Sequence, residues 1–427
     1  MPWALTEIRY SNVCGYRWHA IGKSAPDGPA PVPDRAWITG LGIVSPAGWT
    51  AEDTWRRVLG AASCVRKLER FPTYQSSSRV AGLVPGREGP LPDYSLSLEY
   101  GLHAARDALR CAGLRSYDPD DPAGHDDGDV DVALVANHGE NRLPRAGHTG
   151  KLIGIREVAR RVATTAGTRR YSAPYGACAG SAQAISVGMR LIRAGQADTV
   201  LAGGCDALVV PFEYMSFSGL YVMSTRDCPP EEASCPFDAR RDGFVLAEGA
   251  AFLVLESRRH AEARSAEPLA FAEGFGLRQN AYHMFAPPPD GLGLSQAMRS
   301  ALDDARLDTS DIGWINAHGT STKDNDLSET LAIRQVFGAD ADETPVSSTK
   351  SQLGHTMGAC GAIEAALSVQ ALRDAVVPPT SNLDHPDPLC DLDYVSSGAR
   401  EKRLDHVLSN SFGFGGHSAS LIFGRVT

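Results

Sequence analysis

Short runs of consecutive apolar residues recur along the chain, separated by longer stretches in which apolar positions return every three to four residues. Trp37 to Gly40 predicts a strand ending at a glycine, and the segment from Gly42 to Gly48 predicts a turn before a helix over Glu52 to Leu59. Val130 to Ala136, Thr199 to Ala202 and Ala251 to Leu255 are apolar at nearly every position, the pattern of strands covered on both faces. Ser181 to Ala194 has helical spacing, with Ala184, Val187, Gly188, Leu191 and Ile192 on one face and Gly195 placed to stop it. The second half repeats the alternation: a helix near Gly291 to Ala305, a strand at Gly313 to Ala317, a helix at Ala359 to Arg373 and a last strand at Ser420 to Phe423. Strands alternating with helices predict an α/β fold built in layers.

Two stretches break the pattern. Residues 1 to about 35 are rich in Pro, Gly and Ala without periodicity, so they read as a poorly ordered extension outside the core. The acidic, Gly- and Pro-containing run from Asp118 to Asp129 reads as a surface loop.

Composition narrows the functional classes. With 427 residues, 43% of them hydrophobic and 22% charged, the chain can bury a large core without disulfides or metal. That length fits several domains or one duplicated core equally well. Nine cysteines, an odd number with no CxxC pair, suggest neither a disulfide framework nor a zinc site, so a functional cysteine acts as a free thiol. The net charge of −10 argues against a surface built for nucleic acid or an anionic membrane. Arg142, Arg145, Lys151, Arg169 and Arg170 form a basic stretch that reads as solvated surface. No run reaches the roughly 18 apolar residues of a membrane span, and the start MPWALTEIRY lacks a basic region followed by an apolar one, so a cytoplasmic protein is expected.

Four segments carry candidate chemistry. Tyr175-Gly-Ala-Cys178-Ala-Gly-Ser181 places a thiol where a helix begins, and there the helix dipole and free N–H groups favour thiolate. Asn316-Ala-His318-Gly-Thr320-Ser-Thr322 puts an imidazole at the C-terminal end of a strand, where α/β sheets assemble their sites. Ser347 to His355 adds Lys350 and a second imidazole just before a small-residue helix. Asn410-Ser-Phe-Gly-Phe414-Gly-Gly416 is a glycine-rich loop able to offer backbone N–H groups to an oxyanion. A lone Cys is more often a small core residue and a lone His more often a satisfied structural one. Their combination in one chain favours chemistry.

These four motifs, in this order, resemble those of the β-ketoacyl synthases, which extend fatty acids and polyketides on acyl carrier protein. The likeness runs from about Trp37 to Arg425 and is supported by Pro236 to Phe244, Ala281 to Met284 and Asn382 to Asp384. The resemblance implies a thiolase-type duplicated α/β core in αβαβα layers, with an N-terminal half over residues 36–265 and a C-terminal half over 266–427. It further implies a homodimer, an acyl carrier protein as partner, and no cofactor or metal beyond the carrier's phosphopantetheine arm. Cys178 would be the acyl-accepting nucleophile. Its N–H and that of Phe414 would form the oxyanion hole, with Phe414 also gating the acyl pocket. His318 and His355 would stabilise the enolate left by decarboxylation of a malonyl-type extender. Lys350 would be a buried cation paired with Glu329 in the Asp326 to Glu329 segment. Thr320 and Thr322 would hold the pantetheine arm, with Phe217, Tyr221 and Phe285 lining substrate space.

The chain departs from the family pattern around that space. The nucleophile lacks neighbouring hydroxyls, Phe285 and Ala286 replace polar residues, Ser418 stands where Asn is common, and Tyr221 is large for its position. Between Ala136 and Cys178 about fifteen residues are missing, more than routine loop variation, and the segment opens Asn137-His-Gly-Glu-Asn141 instead of glycine-rich. These departures favour a carrier-dependent cyclase that closes a ring by intramolecular aldol addition and lactonisation. Standalone ketosynthase-like cyclases of bacterial natural-product pathways, such as the one that builds the salinosporamide lactam-lactone, would be its nearest kin. Decarboxylative chain extension is the alternative. A non-catalytic chain-length partner would have lost Cys178, and a degradative thiolase would carry a second Cys in the glycine loop.

Overall fold

The computed structural model describes residues 35–120, 128–139 and 154–426. The predicted N-terminal extension, most of the acidic loop and the segment 140–153 lie outside the described residues, as do Arg142, Arg145 and Lys151. Arg169 and Arg170 are exposed, as expected of solvated surface.

The described residues form fourteen strands: β1 (Ala36–Val44), β2 (Val65–Lys67), β3 (Val80–Gly82), β4 (Val132–Ala136), β5 (Tyr171–Ser172), β6 (Thr199–Asp206), β7 (Gly249–Glu256), β8 (Ala270–Gln279), β9 (Ile312–Asn316), β10 (Val346–Ser347), β11 (Val376–Val377), β12 (Arg400–Glu401), β13 (His406–Gly413) and β14 (His417–Gly424). Ten of them form one sheet in the order β10-β9-β13-β14-β8-β1-β7-β6-β4-β5. That order holds a repeat. Starting from β1, the first half runs first, fifth, fourth, second, third in chain order, and starting from β8 the second half runs the same way. The pairing senses repeat too: two antiparallel contacts, then two parallel ones. The halves join through a short antiparallel contact of β1 with β8.

Helices complete five layers. Gly180–Arg193 and Cys360–Asp374 lie in the middle, where Ile185, Met189, Ile363 and Leu367 share a core with Leu253, Leu255 and Leu421. On one outer face Leu96–Cys111 and Ile155–Thr165 cover Phe252 and Val254, and on the other Leu292–Ala305 and Lys323–Phe337 cover Ile315 and Ile422. Alternate β7 residues thus serve different cores, which is why both faces of that strand read as apolar.

The first strand is longer than its sequence pattern implied. Gly40 does not end it: a Cβ there would lie 2.2 Å from Ala108 O, and one on Gly42 equally close to Ala104 O. These glycines let Leu96–Cys111 pack directly on the strand. On Gly180–Arg193 the buried face is Ala184, Ile185, Gly188, Met189 and Ile192, while Val187 and Leu191 are partly buried at its margin. Among the described residues no helix is long and apolar enough to cross a membrane.

Candidate active site

The internal repeat builds the site. Each middle helix is preceded by one tight turn, Ala177–Ala179 in the first half and Met357–Ala359 in the second. Both turns carry a residue with left-handed backbone, Ala177 at φ 48° and Met357 at φ 50°. Such conformations cost energy for residues with a Cβ and concentrate at functional sites. The two turns face each other and bring Cys178 and His355 together.

His355 Nε2 lies 3.1 Å from Cys178 Sγ, while its Nδ1 accepts the Met357 N–H at 3.2 Å. Accepting at Nδ1 places the ring proton on Nε2, facing the sulfur. His318 is held the same way: Lys350 Nζ donates to its Nδ1 at 3.2 Å, leaving Nε2–H as the free donor. The two rings stand edge to face with centroids 5.4 Å apart. Burial, and then the Lys350 charge, push both histidines well below their ordinary pKa. Both are therefore neutral donors at neutral pH.

Cys178 is buried, and dehydration pushes its thiol up to about 12, against the opposing pull of Lys350 and the backbone N–H groups of Phe414 and Cys178 itself. The thiolate expected from the helix start alone is therefore not the resting state. Dehydration outweighs the field of the helix end. Two backbone N–H groups, those of Cys178 and Phe414, converge on Sγ. Gly413 makes this approach possible, since a Cβ there would meet Cys178 N at 3.0 Å.

Lys350 does not pair with Glu329. Its ammonium bonds Glu364, both side chains being buried. Glu329 instead accepts the His318 N–H at 2.9 Å, the Gly319 N–H at 2.8 Å and Asn410 Nδ2 at 3.1 Å, and so fixes the His318 loop. Asp326, three residues earlier on the same helix, faces Arg241 at 3.6 Å and accepts the Phe237 N–H at 2.9 Å, supporting the Pro236 to Phe244 segment. Glu364 was missed from sequence, although a lone carboxylate in the otherwise apolar run Ala362 to Leu367 is the signature of a buried charge seeking a partner. Glu364→Gln leaves that cation uncompensated. We expect a stability loss of about 3 kcal/mol by denaturant titration.

His318, Cys360 and Glu364 offer ligand atoms within 4.8 Å of one another. The Lys350 ammonium already bonds both His318 and Glu364, and a fixed cation there does not fit a metal.

A cavity of about 480 Å³ opens onto Cys178, His318 and His355. Thr320, Thr322, Tyr221, Phe285 and Phe414 line it. Phe414 meets Phe285 edge to face at 5.4 Å, and the Thr320 and Thr322 hydroxyls bond each other at 2.9 Å. Tyr221 is 83% exposed at the mouth with φ 57°. Phe217 is not among the lining residues; it packs behind Phe244 at 6.0 Å.

Residues 34–261 match the model for the β-ketoacyl synthase N-terminal domain, and residues 269–384 that for the C-terminal domain. The chain belongs to the β-ketoacyl synthase family. It is 36% identical to 3-oxoacyl-[acyl-carrier-protein] synthase 2 of Vibrio cholerae, over 92% of this chain and 99% of that protein. The tetracenomycin polyketide synthase ketoacyl synthase alpha subunit of Streptomyces glaucescens is 35% identical over 92% of this chain and 97% of its own. A type II polyketide ketosynthase, solved with its acyl-carrier protein and bound to the hexaketide, superposes with TM-score 0.82 at 32% identity, over 92% of this chain and all of that one. A β-ketoacyl synthase from Burkholderia phymatum gives 0.81 at 32% identity, with the same coverage. As a family member with this fold, the protein is an acyl-transferring condensing enzyme of the ketosynthase type.

Proposed function

We propose that the protein catalyses decarboxylative Claisen condensation between an acyl group held on Cys178 and a malonyl-type extender, each delivered on an acyl carrier protein. The observation that carries this reading is the pair of neutral histidines, each held at Nδ1 and each lining the cavity that opens onto Cys178, with His355 Nε2 beside the sulfur. A single self-cyclising substrate has less need of two such donors. Condensation generates an enolate on a second thioester, and two N–H donors suit its oxygen. The names of the relatives above support condensation over the ring closure favoured by the departures in sequence.

The carrier thioester first transfers its acyl group to the Cys178 sulfur, releasing the carrier thiol. The malonyl thioester then binds with its carbonyl oxygen at His318 and His355. Its carboxylate leaves as carbon dioxide, and the enolate carbon attacks the Cys178 thioester. The N–H groups of Cys178 and Phe414 take the negative charge of the tetrahedral intermediate, which collapses to expel the thiolate. Phe414 acts as the gate, Thr320 and Thr322 hold the pantetheine arm, and no cofactor is required beyond that arm. A homodimer belongs to the same proposal, supported by β5, which ends the sheet with one edge free of strand pairing among the described residues.

Incubation with acyl carrier and malonyl carrier tests the reading. The expected product gains two carbons with one carbon dioxide per turnover. A product of unchanged acyl mass, formed without malonyl carrier, overturns it in favour of cyclisation.

A further inference from the structure

A third histidine stands behind the catalytic turn, and the mechanism above does not use it. His138 follows β4, and its Nδ1 lies 2.7 Å from Asp206 Oδ2 while its backbone N–H donates to Asp206 Oδ1 at 2.8 Å. Asp206 is fully buried at the end of β6. Its Oδ2 also accepts the Gly358 N–H at 2.7 Å. Gly358 sits tight against the imidazole, since a Cβ there would lie 3.1 Å from the His138 ring. The residue before it, Met357, is the left-handed one whose N–H occupies His355 Nδ1. A continuous path therefore runs from His138 through Asp206 and Gly358 to the peptide that selects the His355 tautomer.

We propose that His138, paired with Asp206, is a positioning residue that holds the Thr356 to Gly358 turn so that His355 keeps Nδ1 as acceptor and Nε2–H toward the substrate. Two physical effects act together. The Asp206 carboxylate pins the Gly358 N–H and stabilises a backbone conformation that Met357 would otherwise leave. An imidazolium at His138 also repels a second proton from His355. A protonated His355 would turn an Nδ1–H against the Met357 N–H, two donors facing each other, and the ring would leave its position.

The charges around both rings agree with this arrangement. His138 faces Asp206 and the Tyr175 ring, the latter edge-on at 5.5 Å. Burial favours neutral His138, but the Asp206 charge and hydrogen bond prevail and raise its pKa. His355 faces Cys178, His318, Lys350 and the Phe244 ring; burial lowers its pKa most, then Lys350, then His138.

The inference rests on the condensing reading for its activity readout alone, so two readouts are needed. Protein labelled with ¹⁵N-histidine reports the His355 protonation state by NMR, with the signal assigned by His355→Ala. Carbon dioxide release from malonyl carrier, measured against pH, reports turnover. In the wild type His355 stays neutral with its proton on Nε2 through the ordinary histidine range, because burial and then the Lys350 and His138 charges lower its pKa. His138→Gln keeps a hydrogen bond to Asp206 without the charge. His355 then takes up its proton about one pH unit higher, and the acid limb of carbon dioxide release moves with it. The plateau rate falls less than about threefold. His138→Ala also loses the hydrogen bond, mixes the tautomers and lowers the plateau about tenfold.

Superimposable His355 titrations in the wild type and His138→Gln overturn the proposal, whatever happens to the rates. If His138→Ala fails to fold, His138→Gln still decides. A wild type that titrates as expected but releases no carbon dioxide overturns the condensing reading instead, and the titration then decides the role of His138 by itself.

Discussion

Cys178→Ala abolishes covalent acyl capture and leaves the fold in place. Intact-mass measurement with an acyl carrier thioester should show one added acyl group on the wild type and none on the variant. Capture is lost outright because, among the described residues, no other nucleophile stands beside both converging N–H groups and His355 Nε2. The fold survives because the exchange removes one sulfur from an apolar cluster that includes Leu208, Val209, Tyr214, Phe244 and Met357. That loss costs about 1 kcal/mol, a shift of a few degrees in Tm. Acylation of another cysteine, such as the neighbouring Cys360, would overturn the assignment. Alkylation adds a check on protonation. With the thiol pushed up to about 12 by burial, iodoacetamide should react slowly at neutral pH and faster as the pH rises.

His318→Ala and His355→Ala each lower condensation by about a hundredfold or more, the scale for loss of one donor to a developing oxyanion. Cys178 acylation is affected less than decarboxylation, because the oxyanion hole proposed above uses the backbone N–H groups of Cys178 and Phe414 that converge on the sulfur, and neither ring takes part in it. The double variant should lose much less than the product of the single losses, since the proposed mechanism brings both rings to one oxygen. Near-normal carbon dioxide release in both single variants would remove them from the mechanism. The same histidines impose a pH dependence on stability. Both have folded-state pKa values pushed well below 6.5 by burial. As the pH falls through the ordinary histidine range, the unfolded chain binds protons that the folded chain refuses, so stability declines toward acid. A denaturation series between about pH 8 and about pH 5 should show that decline, and it should weaken in the double variant.

Local pattern alone determined a good deal about this protein. Four strands of the first half and two of the second, the helix after Cys178 and the helix after His355 were legible because each is covered on fixed faces, which leaves a period of two, a continuous apolar run or a period near three and a half in the residues; β8 and β13 were not read. Cys178, His318, Lys350, His355 and the Asn410 to Gly416 motif stood out because they occur in motifs of small residues, where a backbone must approach a reacting atom, although Asn410 to Gly413 belong to β13 and only Phe414 to Gly416 form the turn. The strand boundary at Gly40 misled because a glycine that ends a strand and a glycine that admits a helix look alike in sequence. Only the position of Leu96–Cys111 separates them.

The partners of the buried charges were decided by tertiary structure. Lys350 could reach a carboxylate on either of two helices. Glu329 was the nearer guess by motif, but the fold sends it to the His318 backbone and brings Glu364 to the ammonium. The protonation state of Cys178 was decided the same way, because dehydration depends on everything packed around the sulfur and a helix start reports only one contribution. The tautomers of His318 and His355 follow from single donors, Lys350 and the Met357 N–H, set by a turn that Asp206 anchors from another strand. A sequence records which groups can bond and how often they face the core. The choice among equally capable partners is made by the duplicated layers, which bring residues more than a hundred positions apart within hydrogen-bond distance.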